Sequence, residues 1–453
     1  MPRPSRLHIP HPSARPGEAP DFSYLRLSAA GAVARPDPSA RLDAMTPSAM
    51  DLATQLVRVL DDDHRAVGPW NPHLEPAELQ VGLRHMLLTR LFDERMQKTQ
   101  RQGRISFYVK CTGEEAVSVA AAMALEPHDM LFPGYRNQGL QMVRGQSLVA
   151  LMNQLLSNTG DMCKGRQLPV MYHGSDARLF SISGNLATQF PQAVGWAMAA
   201  AIKGEDHIAA SWIGEGSSAE ADFHHALLFA STYRAPCILN VVNNQWAIST
   251  FQGFAAGESP SFAARGPGYG IPGLRVDGND FLAVYAATRW AAARARKGHG
   301  ATLIELVTYR VAAHSTSDDP ARYRPRDEAE QWPLGCPLER LRQHLCALGE
   351  WDDTRHAALT AELEQQVNAA WKTACTFGTM TEGPKLDPGL MFEDVYETLP
   401  PHLARQREAL RRELAGAAAA VAGHNEPAGD AGPMDYTGHL GHLGHVSHMD
   451  KGA

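Results

Sequence analysis

The chain has 453 residues, 44% of them hydrophobic and 20% charged, which is ample for a large buried core. Its formal net charge of −7 argues against nucleic acid as the main partner, because phosphate binding favours clustered positive charge. No apolar run approaches a membrane span, and the six cysteines are scattered without a C-x-x-C pair, which reads as free thiols in a reducing compartment.

Arg3, Arg6 and Arg15 precede the first acid, Glu18, which gives the start a mild transit-peptide flavour. Pro2, Pro4, Pro10, Pro12 and Pro16 oppose the amphipathic helix such a peptide needs. An extended arm over residues 1–75 in a bacterial cytoplasm is the expectation, with the mitochondrial matrix as the alternative. Short apolar islands at 24–27 and 56–60 suggest that the arm packs on something, either this chain or another subunit.

Residues 76–335 have the pattern of an α/β domain. A helix is expected over 78–102, with Leu79, Leu83, Met86, Leu87 and Leu91 inward and Gly103 at its end. A short Ala-rich helix follows at 113–125. The turn at 132–137 sets Tyr135 beside Arg136. Arginine in a loop is ordinarily a solvated surface charge, although its fork of donors also suits phosphate oxygens. Ser147 is placed to cap a helix running through Leu156. Ser183, Asn185, Leu186, Thr188 and Gln189 lie before a helix that opens near Pro191 and stops near Gly204, where the plain reading is an N-cap cluster.

Residues 208–250 carry the strongest signal. Six mostly apolar residues, 208–213, read as a buried strand, and Gly214-Glu215-Gly216 follows as a turn whose glycines permit φ > 0 and close approach to a ligand. Phe223, Ala226, Leu227 and Ala230 mark one face of a helix, and 237–242 give a second buried strand ending at Asn243-Asn244. In a parallel sheet the carboxyl ends of both strands share one edge, where α/β folds bind ligands. Glu215 and Asn244 offer the hard oxygens that Mg²⁺ prefers, leaving positions for a diphosphate and water.

Further on, Asp280 is placed to cap a helix to Arg296, and 302–309 is another buried strand leading to Arg310, His314 and Ser315. A loop histidine is more often solvated or satisfied than catalytic, but His314 follows a strand directly and so falls on the same sheet edge. Residues 336–412 look helical, with Leu338, Leu341 and Leu345 in one register and 391–396 docked on the core or a partner subunit. From 413 the chain turns to Ala, Gly and His, with His439, His442, His445 and His448 at every third position, the composition of a disordered tail that collects metal adventitiously.

The Gly-Glu-Gly turn followed by Asn-Asn resembles the thiamine-diphosphate signature, with Glu215 in place of the commoner Asp. The text GEGSSAEADFH and NNQWAIST is similar to the alpha subunit of branched-chain 2-oxo acid dehydrogenases of bacterial type, over about residues 22–405. The resemblance implies a doubly wound parallel α/β fold and oxidative decarboxylation of branched-chain 2-oxo acids. It implies Mg²⁺ on Glu215, Asn244 and the Trp246 carbonyl, flanked by Gly214 and Gly216, with Arg136 and Tyr135 at the diphosphate. The backbone at Leu186 would meet the aminopyrimidine, and Ser183, Asn185, Thr188 and Gln189 would serve a structural K⁺. His314 and Ser315 would lie on the substrate side. Two departures stand out. Gly184-Asn185 replaces the Ser-Pro of mitochondrial relatives, and Val242 replaces an arginine that reaches the diphosphate there, so Arg136 must carry more charge or Arg265 must substitute. Ser315 matches a phosphorylatable serine of those relatives, and Pro325 stands where they have a second. The glutamate that activates the cofactor comes from the beta subunit in this family, which implies an α₂β₂ heterotetramer working with a lipoyl-bearing acyltransferase. A pyruvate or acetoin dehydrogenase alpha subunit is the alternative of the same class, although pyruvate relatives usually have His-Ser-Met-Ser. A cofactor- or metal-binding scaffold centred on the histidine tail is the alternative of another class.

Overall fold

Six short, mostly apolar segments form one parallel sheet. The computed structural model describes residues 9–259 and 261–423, with side chains to residue 417. Its strands are β1 (Leu56–Val57), β2 (Met130–Phe132), β3 (Ala209–Gly214), β4 (Cys237–Asn243), the pair β5 (Trp246–Ala247) and β6 (Thr250–Phe251), β7 (Gly273–Asp277) and β8 (Thr302–Val307). The main sheet runs β1-β7-β8-β4-β3-β2, and every neighbouring pair in it is parallel. The short β5 and β6 form a separate antiparallel ribbon.

Alternation along the strands divides the core in two, as a pleat of period two requires. Ala210, Trp212, Ile238, Val242, Ile304 and Leu306 join one apolar cluster, while Ala209, Ile213, Leu239, Val241 and Leu303 join the other. Helices Pro76–Arg101, Glu115–Ala124 and Phe281–Arg296 fill the first, and Gln189–Lys203 and Ala221–Thr232 fill the second. Both faces of the sheet are therefore covered, which is the doubly wound α/β arrangement and explains why its strands read as unbroken apolar runs. Helix Ala221–Thr232 buries Phe223, Ala226, Leu227 and Ala230, the predicted face. Helix Pro337–Ala347 buries Leu338, Leu341 and Leu345 in the predicted register.

The N-terminal segment packs on this chain and contributes to its sheet. β1 pairs with β7 at the edge, and the Leu56 N–H donates to the Ser28 hydroxyl at 3.0 Å. Trp290 Nε1 donates to the Pro36 carbonyl at 2.7 Å, and Trp70 meets the same indole edge-on at 6.0 Å. The described residues from Asp387 onward belong to a second unit, with a helix over Pro401–Gly423. Met391, Val395 and Tyr396, expected to be docked, have exposed side chains. The histidine tract at 439–448 lies outside the described residues. All six cysteines are free, and no helix among the described residues is long and apolar enough to cross a membrane.

Asp280 joins three parts of this framework. Its Oδ1 caps helix Phe281–Arg296 by accepting from the Leu282 and Ala283 N–H groups, both at 3.1 Å. Its Oδ2 accepts from the Val59 and Leu60 N–H groups at 2.8 and 2.6 Å, fixing the chain that follows β1. The residue is fully buried, so deleting the carboxylate strands donors that water cannot reach. Asp280→Ala is expected to lower the unfolding free energy by about 3 kcal/mol or more, from a lost cap and unsatisfied buried amides, as measured by urea denaturation.

Candidate active site

Because the main sheet is parallel, β3, β4 and β8 deliver their carboxyl ends to one edge. Glu215 follows β3, Asn244 follows β4, and Arg310 and His314 follow β8. There Glu215, Asn244 and His314 border a cavity of about 220 Å³ that is also lined by Arg136, Leu186 and Trp246 among others, with Arg310 behind its wall against His314. Tyr135, Ser183, Asn185, Gln189, Val242, Gly214 and Gly216 also line it, whereas Thr188 and Ser315 do not. Ser315 instead starts the next turn, its carbonyl accepting from the Asp318 N–H at 3.2 Å.

The Gly-Glu-Gly turn works by closeness rather than by handedness. Gly214 is extended at φ −72°, and neither glycine has positive φ, so the conformational freedom expected from the sequence is not used. A Cβ on Gly216 would lie 2.5 Å from the Ala247 Cβ, so only glycine lets this turn pass the β5 ribbon. The left-handed conformations fall elsewhere on the rim, at Ala187 (φ 62°), Gln245 (φ 76°) and Ile248 (φ 55°). Such conformations are costly for non-glycine residues, above all for a β-branched one, and persist only where surrounding bonds hold them. Gln245 is held by its own Nε2, which donates to the Asn243 and Thr308 carbonyls at 3.0 and 3.2 Å.

Two carboxyl groups and two guanidinium groups meet beside the cavity. Glu215 and Glu114 are both buried, and burial pushes each up to about 7. Glu114 Oε1 accepts from Asn244 Nδ2 at 2.9 Å and lies 3.7 Å from Arg136 Nε. Glu215 Oε1 is buried without any partner. An unpaired buried carboxylate oxygen in a cavity also lined by Asn244 and Trp246, which can offer neutral oxygens, fits the chemistry of a hard divalent cation. The turn before the helix at Gln189 also differs from a cap. Thr188 Oγ1 donates to the Asn185 carbonyl at 3.1 Å instead of accepting from the helix, the Asn185 N–H donates to Ser183 Oγ at 3.1 Å, and Gln189 Oε1 is buried and unpartnered.

His314 is defined by its neighbours. Its Nδ1 faces Arg310 Nη1 at 3.0 Å and Arg136 Nη2 at 3.4 Å, and its carbonyl accepts from Arg136 Nη2 at 2.9 Å. Burial, then Arg136, then Arg310 lower the imidazole pKa to about 3. With guanidinium donors on Nδ1, that nitrogen must accept, so the ring proton sits on Nε2 and the ring is a fixed donor. Proton uptake by this ring is opposed by the two positive charges.

The description "Dehydrogenase E1 component" matches residues 83–381, and "2-oxoisovalerate dehydrogenase E1 alpha subunit N terminal" matches residues 3–42. The chain is 57% identical over 407 residues to the 2-oxoisovalerate dehydrogenase subunit alpha of Pseudomonas aeruginosa, covering 90% of this chain and 98% of that one. It is 40% identical over 366 residues to the mitochondrial 2-oxoisovalerate dehydrogenase subunit alpha of Mus musculus, covering 79% of this chain and 80% of that one. The human mitochondrial protein of the same name is 39% identical over the same length. The chain belongs to the dehydrogenase E1 component family. Within it the chain sides with the 2-oxoisovalerate dehydrogenase alpha subunits, and membership implies thiamine diphosphate and a beta subunit.

For an E1 component the sequence reading left out several residues that build the site. Arg310 has no exposed surface, and it donates to the Trp246 and Ile248 carbonyls at 3.0 and 2.9 Å and to the Tyr323 hydroxyl at 2.6 Å. Asp318 Oδ2 accepts from the His314 N–H at 2.7 Å and from the Tyr323 hydroxyl at 2.6 Å. Glu114 gave no motif signal at all. The suggested substitute cation, Arg265, does not line the cavity. Its guanidinium is committed to Ser218, with Nη1 2.8 Å from Oγ, and to the Ala255 and Ala256 carbonyls. Val242 does line the cavity, and Arg136 is the one arginine among its lining residues.

A depressed histidine pKa means that the unfolded chain binds more protons than the folded one between about 3 and 6.5, so His314 costs stability as the pH falls through that window. The raised Glu114 and Glu215 act with the opposite sign, losing stability as the pH rises from 4.5 towards about 7. Comparing variants cancels the carboxyl contribution. The stability of His314→Gln relative to the parent is expected to rise between pH 7.5 and 5, as followed by urea midpoints. A constant difference across that range would mean that His314 is not held neutral.

Proposed function

We propose that this chain and a beta subunit together carry out oxidative decarboxylation of branched-chain 2-oxo acids, handing the acyl group to a lipoyl-bearing acyltransferase. The observation that carries the reading is the unpartnered, buried Glu215 oxygen in a cavity that Asn244 and the Arg136 guanidinium also line. A cation and an anion are both invited there, and a diphosphate with Mg²⁺ brings both. Thiamine diphosphate, when bound, supplies the nucleophilic carbon and the electron sink.

The rest falls to the residues of this chain. Glu215, Asn244 and the Trp246 carbonyl hold Mg²⁺; that carbonyl accepts from Arg310 through one lone pair and keeps the other. Arg136 and Tyr135 hold the diphosphate, and Gly214, Gly216 and the backbone at Leu186 let the cofactor lie close. Gln189 Oε1, Ser183 Oγ, Thr188 Oγ1 and the Asn185 carbonyl give the oxygen set of a K⁺ that fixes this rim. His314 presents Nε2–H towards the substrate side and orients a bound oxygen or sulfur, with Ser315 beginning the loop next to it. The activating glutamate comes from the beta subunit, so the competent form is an α₂β₂ heterotetramer in a bacterial cytoplasm. The likeness to 2-oxoisovalerate dehydrogenase subunits over nearly the whole chain favours branched-chain substrates over pyruvate or acetoin.

Glu215→Ala in the assembled protein is expected to lower Mg²⁺-dependent thiamine-diphosphate affinity by about tenfold or more, because the only charged ligand in the set is removed. Calorimetry reads this directly, and affinity within about threefold of the parent would move the metal site elsewhere. The purified alpha chain alone is expected to turn over neither 3-methyl-2-oxobutanoate nor pyruvate. Added beta subunit restores activity in proportion, with 3-methyl-2-oxobutanoate preferred. Turnover by an alpha preparation shown free of beta by mass spectrometry would overturn the shared site.

A further inference from the structure

The opposite, amino-terminal edge of the sheet carries a cluster that the E1 reaction does not use. The loop entering β2 brings His128, and the loop entering β3 brings Asp206 and His207. Their ligand atoms all lie within 4.8 Å of one another, which no other group of three His, Cys, Asp or Glu residues achieves among the described residues. Asp206 Oδ1 is 4.0 Å from His128 Nε2 and 3.8 Å from His207 Nε2. These separations are too long for hydrogen bonds. They are close to the roughly 3.3–3.4 Å that separates ligands around one tetrahedral ion with bonds near 2.05 Å.

Two further features point to a ligand. His128 Nε2 is shielded from solvent and has no hydrogen-bond partner. The two imidazoles converge, with ring centroids 4.7 Å apart and planes tilted by 34°, and Trp196 stacks on His207 at 6.3 Å and 14°. A stacked ring is held in orientation, which lowers the cost of ordering a ligand.

We propose that His128, His207 and Asp206 form a binding site for a divalent transition metal, Zn²⁺ by preference, with water as the fourth ligand. Two imidazole nitrogens exclude Mg²⁺ and Ca²⁺, which take oxygen, and favour a borderline ion. The ion clips the two loops that start β2 and β3. These loops are already joined beside it, since Asp129 Oδ1 accepts from the Ile208 N–H at 3.2 Å and the Asp129 carboxylate pairs with Arg296. The site is structural, standing at the far end of the strands from the catalytic cavity.

The test uses the full chain assembled with its beta subunit and Zn²⁺ as the probe. The tail histidines are present in every variant, so the difference between proteins is what counts. The parent is expected to take up one more Zn²⁺ per alpha chain than H128A/H207A in a chelator-competition titration, and to show a Zn²⁺-dependent rise in Tm that the double variant lacks. Asp206 is largely exposed, so Asp206→Asn keeps the fold and both imidazoles and is expected to weaken the extra site by about tenfold through loss of its one anionic ligand. Decarboxylase activity is expected to be the same in all three. Equal Zn²⁺ stoichiometry and affinity in the parent and the double variant would overturn the proposal. Should the double variant fail to fold, unchanged affinity in Asp206→Asn overturns it alone.

Discussion

A guanidinium with no exposed surface must find acceptors inside the protein, and Arg310 finds them on two loops at once. Through Nη1 and Nη2 it donates to the Trp246 and Ile248 carbonyls on one side and reaches the Tyr323 hydroxyl and His314 Nδ1 on the other. Each bond has a charged donor, so each is stronger than a bond between neutral groups. The left-handed Ile248 is one consequence, since its carbonyl is turned to the arginine. The fixed tautomer of His314 is another. Asp318 completes the assembly by accepting from both the His314 N–H and Tyr323, so the loop after β8 is tied to the ribbon after β4 through a single cation.

The charges around the cavity explain why such a tie is needed. Glu114 and Glu215 are both buried, and burial holds both well above ordinary carboxyl values. Arg136 and Arg310 press the other way on the same groups and on His314. Like charges held close repel, and the backbone has to keep them in place. A bound divalent cation would stabilise the ionised Glu215, and a bound polyanion would relieve the two guanidiniums. The protein alone thus gathers buried charges of both signs at one cavity, an arrangement preorganised for a charged ligand.

A parallel sheet also separates tasks by polarity. Its carboxyl edge gathers Glu215, Asn244 and His314, while its amino edge gathers His128, Asp206 and His207. Events at one edge need not disturb the other, because the strands between them are buried on both faces and pack against helices on each.

Much of this was legible in the chain itself, for a local reason. The β3–turn–helix–β4 unit lies within about forty consecutive residues, and period-two and period-3.6 patterns, glycine spacing and strand-terminal oxygens are all written there. Glu215 and Asn244 stand in that text, Arg136 and His314 were expected from other stretches and from the resemblance to a family, and all four line one cavity. What the sequence left open depended on contacts between distant segments. That the N-terminal arm supplies an edge strand, that Asp280 captures the backbone at Val59 and Leu60, that Arg310 stands beside the histidine and that Arg265 is committed to Ser218 are decided by residues that meet only when the chain is packed. The glycines of the turn after β3 illustrate the same divide. Sequence says that glycine permits both unusual φ and close approach, and only the position of the Ala247 Cβ shows that close approach is the property Gly216 uses.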